Sequence, residues 1–172
     1  MGFRQEHFRM FALYNAWANE RLYGCAAELT PEALAEDRGA FFGSLLGTLN
    51  HLLVTDCLWM SRLEGTSPRG TRLNEVLYED FGDLSAARRA QDQKIVTFVH
   101  ALSEERLAET LAYATTSGAP QSQPIHQVLA HLFNHQTHHR GQAHHLIGLA
   151  LGREKAPVLD LLAYQRSAAG GS

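Results

Sequence analysis

The chain alternates long stretches of three- and four-residue hydrophobic spacing with short clusters of turn formers. From residue 4 to about 29, Phe8, Phe11, Ala12, Leu22 and Cys25 recur at helical spacing with no internal proline, which predicts an amphipathic helix. Thr30 followed by Pro31 reads as a cap and a first-turn proline, so the chain restarts there. A second long helix is predicted from Ser44 to about Glu64, closed by the turn formers of "EGTSPRG". A third fits Asp83 to about Leu102, with Asp83 or Ser85 near its start. Residues 104–124 lose the helical period. Thr and Tyr alternation followed by Ser, Gly and Pro reads as a long connection with room for a short hairpin. A fourth long helix opens near Pro124 and runs to about Leu151, where Gly152 ends it. "PVLDLLAYQR" adds a short helix, and residues 167–172 are expected to fray. The pattern predicts an all-α fold, an antiparallel four-helix bundle with its long connection before the last long helix. It forms a single domain over residues 1–166.

Composition narrows the partners. A net charge of -3 and a pI near 6.3 provide no long-range attraction for nucleic acid or an anionic membrane. No apolar run is long enough to span a bilayer, and the start lacks the core of a signal peptide, so the expected compartment is the reducing cytoplasm. Cys25 and Cys57 lie in apolar helical runs outside any metal-ligand spacing and read as small buried hydrophobes.

Candidate chemistry concentrates in the fourth helix, where "HLFNHQTHHRGQAHH" holds six of the chain's ten histidines. At about 100° per residue, Leu132, Val128 and Leu146 fall within about 60° of His135, and His139 falls about 40° from it. His135 and His139 therefore face the core as an i, i+4 pair, a spacing that suits chelation of one metal ion. His131, His138 and His145 share a flank, whereas His126 and His144 point away from the core. His131, one turn before His135, is open to three readings: ligand, pocket wall or dimer contact.

A third ligand requires another helix. Most of the second helix is apolar, with Leu45, Leu49, Leu52, Trp59, Met60 and Leu63 as the main stripe. Its one polar strip holds Ser44, Thr48, His51, Thr55 and Arg62, and either faces water or lines a polar pocket. The wheel places His51 about 130° from the centre of the apolar stripe, which taken alone favours water. Asp56 falls among the leucines and needs a buried partner.

"FALYNAWANERL", "SLLGTLNHLLVTDCLWMSRLEG", "SQPIHQVLAHLFNHQTHHRGQAHHLI" and "DLLAYQR" together resemble the DinB family of damage-inducible proteins, related to YfiT-like metal-dependent enzymes. The resemblance covers nearly the whole chain in order, and its NHLLxxD and NHxxxHRGQ patterns are specific in combination. It implies a four-helix bundle, usually dimeric, with one divalent metal held by three histidines. Carried over by position, these are His51, His135 and His139, which overrules the wheel's preference for an exposed His51. The resemblance also implies a low-molecular-weight thiol as partner, since related members are thiol-dependent transferases or isomerases.

Three neutral imidazoles leave a bound dication electrophilic, with a coordination position open for substrate. Zn, Ni, Co and Fe all suit imidazole, and metal affinity is expected to fall below about pH 6 as the ligands protonate. Residues 125–151 contain no Glu or Asp, so thiol chemistry fits better than hydrolysis with a carboxylate base. The expected function is a metal-dependent thiol S-transferase. A metal-dependent hydrolase and a non-catalytic metal-binding stress-response protein stand as alternatives. Gln142, about 20° from His135, is the leading candidate to orient a ligand. Arg140 is either a surface cation or an anchor for an anionic substrate, and Tyr14, Asn15 and Trp17 are either core or pocket wall.

Overall fold

The computed structural model describes residues 2–67 and 72–170. In chain order these form α1 (Phe3–Ala26), α2 (Pro31–Ala35), α3 (Leu45–Glu64), α4 (Phe81–Ala101), α5 (Glu104–Ala108), β1 (Thr110–Ala114), β2 (Pro120–Pro124), α6 (Ile125–Leu151) and α7 (Leu161–Ala169). Short polar side chains start the helices by accepting otherwise unpaired backbone N–H groups. Thr30 caps α2 before Pro31, Ser44 caps α3 through Gly47 N at 3.0 Å, and Asp80 caps α4 through Asp83 N at 2.9 Å. Asp80 therefore fixes the third long helix, slightly ahead of the expected Asp83 or Ser85. Gly65, at φ 69°, closes α3 in the left-handed conformation that glycine adopts without steric cost. The rest of the "EGTSPRG" cluster runs into residues 68–70, outside the described residues.

The chain is mainly helical, with one departure from the all-α expectation. The connection before α6 contains α5 and an antiparallel β1–β2 pair in which Leu111 faces Gln123 and Tyr113 faces Gln121. At the C-terminus, α7 continues to Ala169, so the tail expected to fray from 167 is helical for three residues; positions 171–172 lie outside the described residues.

Side-chain pairs give the direction of each long helix. Gln5 Nε2 donates to the Leu102 carbonyl and Asn19 to Asp92, so α1 and α4 run antiparallel. Arg88 pairs with Asp56 and Lys94 with Glu64, so α3 and α4 run parallel. Phe8 stacks on Phe133 while Arg140 bonds Asn15, so α1 and α6 are parallel, and His51 against His135 with Trp59 against His131 makes α3 and α6 antiparallel. The antiparallel expectation is thus corrected: each long helix has one parallel and one antiparallel neighbour. The reason is the described stretch 72–78, which lies back along α3 against Asn50, so that α4 starts beside the start of α3.

The core has two apolar halves. One gathers Phe8, Met60, Leu63, Ile95, Val99 and Leu132, and the other Leu22, Leu45, Leu49, Leu84, Leu146 and Ile147. Between them lies a buried polar layer drawn from all four long helices. Arg88 sits 2.8 Å from Asp56 and 2.9 Å from Asp92, both deep in the core. Asn15 and Asn19 donate to Asp92 and accept from Arg140, while Gln136 donates to the Leu52 carbonyl. Burial raises the pKa of Asp56 and Asp92, opposed by the Arg88 charge; burial also works against Arg88, but the two aspartates outweigh it and hold it protonated. Asp56 is the buried acid its place among the leucines predicted. Its partner, Arg88, was not foreseen.

Removing one member leaves an unpaired charge in an apolar surround. Asp56→Ala is expected to lower the unfolding free energy by about 3–5 kcal/mol in urea titrations. Glu28→Ala, at the half-exposed Lys155–Glu28 pair, should change it by less than about 1 kcal/mol. Equal effects would show that the polar layer does not tie the helices.

Candidate metal centre

His135 and His139 lie one turn apart on α6, and α3 brings His51 against them. The ligating nitrogens of the three all lie within 4.8 Å of one another, and Nε2 of His51 and His135 are 3.2 Å apart. His51 is 4% exposed, so the wheel's preference for water fails and the ring lies inward against His135 and His139. Thr48 and Thr55 are buried with it, so the polar strip of α3 lines the interior.

The cover comes from two segments that helical periodicity did not identify. One is the returning stretch 72–78. Asn50 accepts from Leu77 N and Tyr78 N at 2.9 and 3.0 Å and donates to the Tyr78 carbonyl, which docks this stretch on α3. The adjacent His51 then donates Nδ1–H to the Leu73 carbonyl at 2.6 Å. The other is the turn before α3, where the Phe42 ring stacks on His51 at 3.8 Å between centroids. Gly47 permits that approach, because a Cβ there would lie 2.2 Å from the Phe42 carbonyl oxygen.

These contacts set the tautomers. A carbonyl only accepts, so His51 carries its proton on Nδ1 and leaves the Nε2 lone pair facing His135. His139 Nδ1 lies 2.7 Å from Gln142 Oε1, which likewise leaves its Nε2 free. Gln142 thus fixes the His139 ring by a hydrogen bond. Two nitrogens each about 2.1 Å from one tetrahedral ion are about 3.4 Å apart, so a pair 4.8 Å apart closes by about 1.4 Å through side-chain rotation when an ion binds. The residues fit a divalent metal in number, donor type and tautomer.

The remaining histidines separate clearly. His131 stacks edge-on against Trp59 at 5.2 Å and lines a cavity with His51 and His135, a wall of the site outside the triad. His138 and His145 are exposed. His126 and His144, expected to point to solvent, are half-buried and bond the Leu107 and Pro157 carbonyls at 3.0 Å, holding the chain on either side of α6. Arg140 is buried in the polar layer, with its guanidinium carbon 5.3 Å from the Tyr14 ring, rather than at the surface or beside the triad. Tyr14 and Trp17 pack with Tyr164 of α7 instead of walling the histidine cavity, and Asn15 belongs to the polar layer. Cys25 and Cys57 are half-buried rather than fully enclosed.

Burial pushes the His51 imidazole down to about 4, reinforced by His139 against the opposing Leu73 hydrogen bond. Burial and the neighbouring His139, His51, His131 and His138 bring His135 to about 3. Both are neutral donors at physiological pH, and protons compete for these two only well below the pH 6 expected from free imidazole; burial also lowers the pKa of His139. Between about pH 4 and the ordinary 6.5, the unfolded chain binds more protons at these positions than the folded one. The metal-free protein is therefore expected to keep this contribution to stability above pH 6.5 and lose it as pH falls toward 4. Chelator-treated protein scanned by circular dichroism should show a falling thermal midpoint across that window. The fall should be smaller in His135→Gln.

A comparison with known sequences places this geometry in context. The DinB family model matches residues 4–171. Protein DinB of Bacillus subtilis (strain 168) is 25% identical over 134 residues, which cover 74% of this chain and 77% of that protein. With nearly its whole length matched, including α3, α6 and their three converging histidines, the chain belongs to the DinB family.

Proposed function

We propose that the chain is a metal-dependent enzyme in which His51, His135 and His139 hold one divalent transition metal (Zn, Ni, Co or Fe), and that it catalyses thiol-dependent S-transfer. The observation that carries the reading is the convergence of three neutral imidazoles on one point, beside a cavity of about 320 Å³. Among the described residues no fourth His, Cys, Asp or Glu joins them, whereas a purely structural site is normally closed by four protein ligands. A metal bound there supplies Lewis acidity that lowers the pKa of a coordinating thiol or water toward neutrality.

The chain's own residues account for the preference for a thiol. Of the two acids on α3, Asp56 is committed to Arg88 and Glu64 at its far end to Lys94, and α6 contains no carboxylate, so these elements offer the triad no uncommitted Glu-type base for hydrolysis. His131 lines the cavity, where partial desolvation lowers its pKa and its ring can accept the thiol proton. The sulfur then bonds to an electrophilic carbon. With a halide substrate the halide departs; with an epoxide or activated alkene the proton is returned to the product. Leu73 and Gln142 keep His51 and His139 oriented, and Phe42 excludes water from one face of His51.

The same reading takes the four long helices as a four-helix bundle, in a cytoplasmic homodimer joined through the exposed α6 flank of His138 and His145, with His131 left to the cavity. Light scattering that returns a 19.1 kDa particle at high concentration would remove the dimer.

Untagged protein should contain about one divalent metal per chain. His51→Ala should abolish tight binding, and Gln142→Ala should weaken it about 10–100-fold. Metal-loaded protein given a panel of cellular thiols and a generic electrophile should form conjugate faster than His135→Ala. Equal rates would reject S-transfer. Ester or amide cleavage without thiol would favour a hydrolase.

A further inference from the structure

The cavity beside the triad extends along α3. His51, Thr55, Leu58, Trp59 and Arg62 recur on one face of that helix and line it, with Tyr113 of β1 and His131 of α6 across from them. Arg62 lies eleven residues beyond His51, about 16 Å along the helix axis, and its side chain leans back toward the triad. Its guanidinium carbon sits 4.6 Å from the Trp59 ring and 5.0 Å from the Tyr113 ring.

Arg62 is unusual in what surrounds it. Among the described residues the arginine ion pairs belong to Arg4, Arg38, Arg88 and Arg106, and no carboxylate reaches Arg62. Partial burial works against its charge, with no acid to compensate. A half-buried cation clamped by two aromatic rings at the edge of a cavity is the electrostatic complement of an incoming anion. The wall between it and the triad is Trp59, Leu58 and His131, suited to an uncharged spacer. A ligand that reaches both ends carries its anion on the order of 10 Å from its donor atom.

We propose that Arg62 is a specificity-determining residue that binds the carboxylate or phosphate terminus of an extended thiol whose sulfur lies at the triad. The inference rests on the thiol reading above and adds the chemical class of its substrate: an elongated, anionic thiol rather than a short or neutral one. Arg62 takes no part in bond making. It sets which thiol is held, and in what direction.

Isothermal titration calorimetry on the full chain reads the two ends separately. With metal-free protein, octanoate and octyl phosphate should bind about tenfold more tightly than octanol, and the tighter of the two identifies the terminus. Arg62→Gln should erase that advantage while leaving octanol unchanged, and Arg62→Lys should retain part of it. With Co²⁺-loaded protein, 8-mercaptooctanoate should bind at least tenfold more tightly than octanoate, and 3-mercaptopropionate should gain nothing from Arg62. No preference for anions in the parent protein, or a preference that survives in Arg62→Gln, would overturn the Arg62 assignment whatever the metal does. A preference lost in Arg62→Gln without tightening by Co²⁺ would overturn the thiol-and-metal end, and with it the two-ended cleft.

Discussion

A layer of buried charge, Arg88 and Arg140 against Asp56 and Asp92, governs how the four long helices face one another. Apolar stripes tolerate small rotations and slides, because one leucine contact replaces another at little cost. A buried guanidinium and carboxylate do not: lost contact leaves a charge stranded in low dielectric. The arrangement seen here, in which Asn15 and Asn19 bridge Asp92 to Arg140, ties α1, α4 and α6 together, while Asp56 adds α3. The consequence for the site comes from adjacency on α6. Gln136 and Arg140 each directly follow a triad histidine, His135 and His139, so anchoring them in the layer sets the rotation that turns the histidines toward His51.

Much of this was legible in the sequence because it follows from local period and composition. The extents of α1, α3 and α6 agree with the hydrophobic spacing to within a few residues, and Thr30, Ser44 and Gly152 mark the start of α2, the start of α3 and the end of α6 as expected. The inward pairing of His135 and His139 follows from their four-residue spacing within an apolar stripe. Gln142 follows from the same geometry. The need of Asp56 for a partner was also evident, since an acid among leucines cannot be left alone.

What was not legible depends on which segment covers which face. The polar strip of α3 is indistinguishable from a solvated face until the stretch 72–78 is known to return along it. The turn formers at 64–70 just before it suggested a tight closure instead. The connection before α6 has more residues but stays at one end, so length alone misidentified the segment that crosses the fold. Arg88 and Arg140 were obscured for a related reason. Each occupies a helix with ample polar surface, and helical periodicity cannot distinguish an arginine aimed at a distant aspartate from one aimed at water. Only the resemblance carried His51 to the interior, through its place in the NHLL motif beside Asn50.

The close contact at Gly47 affects how the site exchanges its contents. Because α3 approaches the Phe42 backbone with no room for a side chain between them, the aromatic wall over His51 is continuous with the start of a helix. It shares the cooperativity of that helix, so opening it requires breaking the Ser44 cap and the first turn. The opposite walls are attached differently: the returning stretch through Asn50 and one carbonyl bond to His51, the hairpin through side-chain contacts of Tyr113 with Trp59 and Arg62. Those can part without unwinding any long helix. The Phe42 wall is therefore tied to helix stability, while the walls formed by 72–78 and the hairpin are held by separable local contacts.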